Sequence, residues 1–275
     1  LRNHAEHCAE PPEKEENGSK PRMKINCKNA LITGANRGIG RQIALTLADA
    51  GNNILVAHSG AADSAAEAEE VAAEAKRRGV DAYAVGSNIA TLAGVEALYQ
   101  SAAAYFGHFD ILVNNAGIDG HTAFLETDER TWEAMLDTDL KPVYRLCRLV
   151  LPEMIQRRYG RIISISSICA MTGVGWTNKA CYAAAKAAII GFSKCLANEV
   201  GPYGITVNVV APGPCLTDMN RKILTPDVLA GIEQKIPVRR IGMPKDIANA
   251  VAFFADEAQS YVTGQLLSPN GGMVM

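Results

Sequence analysis

The sequence has no C-x-x-C pair, and its seven cysteines, at positions 8, 27, 147, 169, 181, 195 and 215, are odd in number. Both facts argue against a disulfide framework or a zinc site. They point instead to a reducing, cytoplasmic compartment in which most of the thiols serve as small core residues. No strong charge excess is present either: a formal net charge of −2 gives no electrostatic reason to expect nucleic acid or an anionic membrane as partner. No apolar run reaches the roughly 18 residues that a membrane-crossing helix needs. Internal repeats at solenoid periods are missing, and nothing past residue 25 reads as a linker, so the chain is not an array of small units. The opening "LRNHAEHCAEPPEKEENGSKPRMK" has no hydrophobic stretch for a signal peptide and too many acids for a transit peptide. Composition predicts a disordered polar tail over 1–24, with His4, His7 and Cys8 solvated rather than metal-bound, ahead of one domain over 25–275.

The chain has ample material for a core: 275 residues of which 48% are hydrophobic and 20% charged. Short, nearly continuous apolar runs alternate with helical stretches. "NALITG", "NILVAHSG", "DAYAVGSN", "FDILVNNAG", "GRIISISS" and "GITVNVVAPG" read as buried strands, and "GQLLSPNGG" as a last one. Between them lie ten-to-twenty-residue helical patterns, one running from about Asp128 to Arg157. Strands alternating with helices mean βαβ units. The expected fold is α/β: a single doubly wound parallel sheet with helices on both faces, Rossmann-like.

Two motifs carry chemistry. "TGANRGIG" (Thr33 to Gly40) lies between the first strand and the first helix, where a phosphate-binding loop belongs. Gly34 permits the tight turn, Gly38 lets backbone approach a pyrophosphate, and Gly40 allows close helix packing. The helix N-terminus adds N–H donors and partial positive charge. Farther on, "CYAAAKAAIIGF" places Tyr182 and Lys186 four residues apart, on one helix face. A cation beside a phenol favours phenolate, which makes Tyr182 a usable acid or base.

With "NNAG" (Asn114 to Gly117), Ser167, "YAAAK" and "PG" (Pro212, Gly213) followed by Thr217, the chain resembles the short-chain dehydrogenase/reductases over residues 25 to 275. Within that family it looks most like the 3-oxoacyl-(acyl carrier protein) reductases. The resemblance implies hydride transfer between a nicotinamide cofactor and a carbonyl or alcohol, with Tyr182 exchanging the proton, Ser167 hydrogen-bonding the substrate oxygen and Lys186 also holding the nicotinamide ribose. It implies a cofactor site made of Gly34, Asn36, Arg37, Gly38, Ile39, Gly40, Ser59, Asn88, Asn115, Ala116, Gly117, Tyr182, Lys186, Pro212, Gly213 and Thr217. No metal is expected. The long helices and the "GQLLSPNGG" ending resemble the interfaces of family tetramers, so a homotetramer is expected.

The departures from the family pattern are informative. Members usually carry Asn in the helix before the fifth strand, holding a water that relays protons to the lysine; here Asp139 fills that slot and joins Ser167, Tyr182 and Lys186 as a catalytic candidate. Asp carries charge and lacks an amide donor. It could accept from a water or meet Lys186 electrostatically. Pro142 cannot donate to the Thr138 carbonyl and should kink the helix there. The second strand ends "AHSG" instead of in an acid, and Arg37, assisted by Ser59 or His58, suits a 2′-phosphate, so NADPH is favoured over NADH. Arg158 matches a basic position that docks an acyl carrier protein, but Tyr203 stands where relatives carry another arginine. Trp176 is a possible pocket wall, and Pro214 to Lys245 a helical substrate lid. Three readings follow: an NADPH-dependent 3-oxoacyl thioester reductase, a dehydrogenase of another ketone or secondary alcohol, or a nucleotide-sensing protein with weakened catalysis.

Overall fold

The computed structural model describes residues 27–118, 122–172, 179–217 and 225–275. The polar tail with His4, His7 and Cys8, and also Trp176, lie outside them. Six strands are built from the apolar runs: β1 (Asn29–Thr33), β2 (Asn53–His58), β3 (Ala82–Gly86), β4 (Ile111–Asn114), β5 (Gly160–Ile165) and β6 (Ile205–Val210). A two-residue β7 (Leu266–Leu267) completes a seven-stranded sheet in the order β3-β2-β1-β4-β5-β6-β7. Every pairing is parallel, with Leu31 beside Leu55 on one side and Leu112 on the other.

Strand periodicity decides which side chain goes to which face. Ile32, Val56 and Val113 enter one apolar layer with Ile43 and Leu47 of α1 (Gly38–Asp49), Val71 of α2 (Ala62–Arg77) and Phe254. Their neighbours Leu31, Leu55 and Leu112 enter the opposite layer with Leu98 of α3 (Leu92–Phe106), then Leu146 and Ile189. Two covered faces explain why the strands read as unbroken apolar runs instead of alternating ones. The sheet is doubly wound, as expected. Its chain path reverses between β1 and β4, which opens a crevice at their carboxyl ends.

The stretch expected as one helix from Asp128 to Arg157 is three pieces: α4 (Glu129–Met135), a π-helical turn (Leu136–Leu140) and α5 (Lys141–Arg157). The Lys141 N–H bonds the Leu136 carbonyl five residues back. Pro142 follows at once and has no N–H to continue the ordinary ladder, so the disturbance is an inserted residue instead of a simple kink. After β5 come a short α6 (Cys169–Thr172) and the long α7 (Ala180–Val200). The segment Ala180–Tyr203 is long and apolar enough to cross a membrane by length and composition, yet α7 lies against β6 and β5 in this domain. The expected lid contains one described helix, α8 (Pro226–Lys235), and α9 (Pro244–Ala255) packs on α1. The cysteines are less uniformly core than composition suggested: Cys147, Cys181 and Cys215 are buried and Cys169 half-buried, but Cys27 and Cys195 are exposed. A thiol is small enough to be tolerated at either location, so residue type alone does not place it.

Candidate active site

A cavity of about 900 Å³ occupies the crevice at the carboxyl ends of β1 and β4, where open α/β sheets take their ligands. Every catalytic and cofactor-site residue anticipated from the sequence lines it. Gly34 and Gly38 have φ of 63° and 56°, a region in which side chains are strained. A Cβ on Gly40 would run into the Gly34 carbonyl. The first turn of α1 begins at Gly38 with no side-chain cap from Arg37, which leaves its N–H donors to a phosphate. Thr217 stands against Gly38 from the opposite wall. Glycines that clear the floor and an uncapped helix start fit the pyrophosphate of a dinucleotide.

The "NNAG" segment holds this loop in shape. Thr33 Oγ1 accepts from the N–H groups of Asn115 and Ala116, each at 3.0 Å, and Asn115 Nδ2 donates to the carbonyls of Thr33 (2.9 Å) and Gly34 (3.1 Å). The Asn115 amide group is therefore committed to the loop, although the residue borders the cavity. At the far end, beyond β2, Ser59 Oγ lies 2.9 Å from Ser64 Oγ. His58 is buried, with Nδ1 accepting from the Gly60 N–H at 3.2 Å. Burial holds the His58 imidazole below its ordinary range, partly opposed by the charge of Glu69. Arg37 is exposed and pairs with no carboxylate among the described residues, whereas Arg41 is held by Glu74 at 2.5 Å. Asp63 also lines this end, its Oδ1 accepting from the Ser64 N–H at 2.8 Å.

The chemical end is assembled from β5, α7 and the π turn. Ser166 and Ser167 lie just past β5 and point apart. Ser166 Oγ donates to the Lys186 carbonyl at 2.8 Å and so pins α7 to the strand end, while Ser167 lines the cavity with its Oγ accepting from the Cys169 N–H at 3.2 Å. Lys186 Nζ reaches Asp139 Oδ2 at 3.0 Å, and both side chains are almost wholly buried. Nζ also donates to the Ile165 carbonyl at 3.4 Å. Asp139 Oδ1 accepts from the Ile118 N–H at 2.8 Å. Oδ2 meets Nζ side-on and accepts no aligned hydrogen bond, so the contact is a close charge pair with acceptor capacity to spare. Of the contacts anticipated for Asp139, the one with Lys186 is present. Lys186 Nζ stands 5.6 Å from the centre of the Tyr182 ring, within the range over which a cation is felt. Ile118, Ile168, Cys169, Val228, Ile241 and Met273 make the remainder of this end largely apolar.

Comparison with known proteins agrees with this geometry. Residues 34–274 match the family model described as enoyl-(acyl carrier protein) reductase. The 3-oxoacyl-(acyl-carrier-protein) reductase FabG of Escherichia coli (strain K12) is 44% identical over 253 residues, 92% of this chain and all of the relative. The FabG proteins of Staphylococcus aureus (strain Mu50) and Staphylococcus epidermidis (strain ATCC 12228) are each 42% identical, over 92% and 90% of this chain. The chain belongs to the short-chain dehydrogenase/reductase family. Members of this family are oxidoreductases that use a nicotinamide dinucleotide.

Family pattern does not account for two residues here. The Ile118 N–H, which fixes Asp139, is a backbone group with no sequence signature. Lys179, the N-cap residue of α7, puts Nζ 5.3 Å from the Tyr182 ring centre. Its signal was in the sequence, a lysine three residues before the tyrosine, but "WTNKA" has no periodicity from which a helix start could be read.

Proposed function

We propose that the chain is an NADPH-dependent carbonyl reductase acting on a 3-oxoacyl thioester. The observation that carries this reading is the convergence, in one cavity, of Ser167, Tyr182 and Lys186 with a glycine loop over an uncapped helix start. The dinucleotide, when bound, supplies a hydride for the carbonyl carbon. The Tyr182 hydroxyl gives its proton to the carbonyl oxygen as negative charge develops there. Ser167 donates a hydrogen bond to the same oxygen. Lys186, held by Asp139 and by the Ile165 carbonyl, keeps positive charge beside the phenol and would hold the nicotinamide ribose. Arg37, with no carboxylate partner among the described residues, favours a 2′-phosphate and hence NADPH; Asp63 at the same end works against it.

The thioester assignment rests on the relatives, whose names state 3-oxoacyl-(acyl-carrier-protein) reduction, and on the apolar substrate end. A carrier protein could dock at Arg158, which is exposed and donates to the Pro202 carbonyl at 2.8 Å, next to exposed Tyr203. That Tyr203 is not basic favours a second reading, reduction of a plain ketone. The assembly is proposed to be a homotetramer. A cytoplasmic site suits the unpaired, exposed Cys27 and Cys195.

The test follows nicotinamide absorbance with NADPH and then NADH against a 3-oxoacyl thioester and a series of plain ketones. Thioester turnover with NADPH supports the reading. Turnover of plain ketones alone moves the protein to the second. Preference for NADH removes the role given to Arg37, and cofactor binding without turnover anywhere contradicts both.

A further inference from the structure

At the end of the cavity beyond β2, a hydrogen-bond chain runs from a buried imidazole to an exposed hydroxyl. His58 Nδ1 lies 3.0 Å from Ser64 Oγ, which lies 2.9 Å from Ser59 Oγ and 2.8 Å from the Ala61 carbonyl. His58 and Ser64 are each 8% exposed, whereas Ser59 is exposed on the cavity wall. The Gly60 N–H meets Nδ1 at 3.2 Å. A backbone N–H only donates, so Nδ1 accepts there and the neutral ring carries its proton on Nε2. The other ring edge packs on the sheet: a Cβ on Gly86, the register partner of His58 in β3, would stand 2.8 Å from Cε1 and 3.0 Å from Nε2. That contact keeps Nδ1 aimed at Gly60 and Ser64. The chain therefore has two exclusive states. With His58 neutral, Nδ1 holds the Gly60 N–H. With His58 protonated, both ring nitrogens donate; Nδ1–H goes to Ser64 Oγ, and the Gly60 N–H and Ser59 O–H are released to donate into the cavity. Burial favours the neutral state, partly opposed by Glu69. The other charged groups at this end, among the described residues, are Arg37, Asp63 and Glu67, the last held by Asn36 Nδ2 at 2.6 Å. α1 adds Arg41, which Glu74 holds; β1 has no titratable residue and β3 only Tyr83, which is exposed. A phosphate ester brings close to two negative charges near neutral pH, enough to favour the protonated state; a ribose hydroxyl brings none.

We propose that His58 distinguishes the 2′-phosphate of NADPH from the 2′-hydroxyl of NADH by taking up a proton from solvent as the phosphate binds. Ser64 and Ser59 pass the change to the cavity wall as hydrogen-bond donors, and Gly60 adds its released N–H. The proton returns to solvent when the nucleotide leaves. His58 is a positioning residue that acts through Ser64 and Gly60. This rests on the proposed preference for NADPH. It gives the phosphate a second positive charge besides Arg37, which offsets Asp63 at the same end.

The first test follows the imidazole itself and needs no substrate. Protein with histidine labelled at Cε1 is titrated against pH by NMR, free, with saturating NADP+ and with saturating NAD+. The chain has five histidines, and His58→Asn identifies the signal. NADP+ should raise the His58 midpoint by about one pH unit, the effect of one nearby opposite charge, and NAD+ should leave it near its free value. Ser64→Ala keeps the imidazole but cuts its link to Ser59, and should reduce the rise with NADP+ by about half or more, whether or not His58→Asn folds. The second test measures dissociation constants for both nucleotides at pH 8.5 and pH 6.5. A rise of one pH unit corresponds to a tenfold gain in affinity over the full titration. The ratio of the His58→Asn constant to the wild-type constant should therefore grow several-fold from pH 8.5 to pH 6.5 for NADP+ and stay level for NAD+. The phosphate's own second proton, taken up near pH 6, cancels in that ratio. A His58 midpoint unmoved by saturating NADP+ overturns the proposal while leaving the cofactor assignment standing, and an equal rise with NAD+ overturns it as well. Tighter binding of NAD+ than of NADP+, with the midpoint rise confined to NADP+, would instead count against the proposed cofactor and leave the proton linkage in place.

Discussion

Gly117 shows how one missing side chain makes the Asp139–Lys186 pairing possible. A Cβ there would stand 2.9 Å from both Asp139 Oδ2 and Lys186 Nζ, closer than carbon approaches either atom without displacement. Breaking a buried charge pair is expensive, about 3–5 kcal/mol when one partner is lost, so the structure would move the backbone first. Gly117→Ala should therefore reduce turnover at least tenfold while dinucleotide affinity stays within a few fold. Steady-state kinetics beside a cofactor fluorescence titration checks both halves. Tyr182→Phe removes the phenolic hydroxyl and with it the proton. It should lower turnover roughly 100- to 10,000-fold, the range ascribed to a positioned acid, with a far smaller change in cofactor affinity in the same titration. Comparable turnover in the phenylalanine variant would remove Tyr182 from the reaction.

Among the elements, the π turn is where local sequence and tertiary demand meet. Pro142 forbids the ordinary bond to Thr138, and the extra residue in Leu136–Leu140 lets Asp139 reach inward to Lys186. Pro142→Ala restores an N–H and permits a continuous helix. Loss of the inserted residue would rotate Asp139 away from α7. The expected outcome is thermal stability at or above that of the parent protein, by circular dichroism melting, together with a several-fold fall in kcat. A fall in stability with unchanged kcat would show that the turn serves folding alone. Pro142 was visible in the sequence and predicted a break, but a π turn differs from a kink only through the contact its residue makes 47 positions later, which no local pattern encodes. By contrast, the strands were legible because burial on both faces leaves continuous apolar runs, and the loop glycines because a tight turn against a helix leaves few alternatives. Asn115 was legible as part of the site but not as a clamp on Thr33 and Gly34, since its partners come from β1. The lid, expected from Pro214 to Lys245, was the least legible: "LTPDVLAGIEQKIPV" mixes polar and apolar residues, and only Pro226–Lys235 is a helix there among the described residues.

For the whole molecule, burial sorts titratable groups into reporters of folding. Burial pushes the thiols of Cys147 and Cys215 up to about 12, so at neutral pH they are both shielded and protonated, and the thiolate is the reactive form. Alkylation of the native protein should mark the exposed Cys27 and Cys195 quickly and Cys147 and Cys215 only on unfolding, as peptide mass mapping would show. His58 adds an acid-dependent contribution to stability. Its folded-state value lies below the ordinary 6.5 because it is buried, so below about that pH the unfolded chain takes up the proton more readily than the native one. The sign follows: the contribution of neutral His58 is complete above about pH 6.5 and is lost as pH falls toward the lowered native value. His58→Asn keeps an acceptor for the Gly60 N–H but removes the titration. Urea unfolding at pH 7.5 and pH 5.5 should show the wild-type midpoint falling farther than that of the variant. Equal falls would mean that the histidine is protonated in place without penalty, and that the acid sensitivity of the fold lies in other groups.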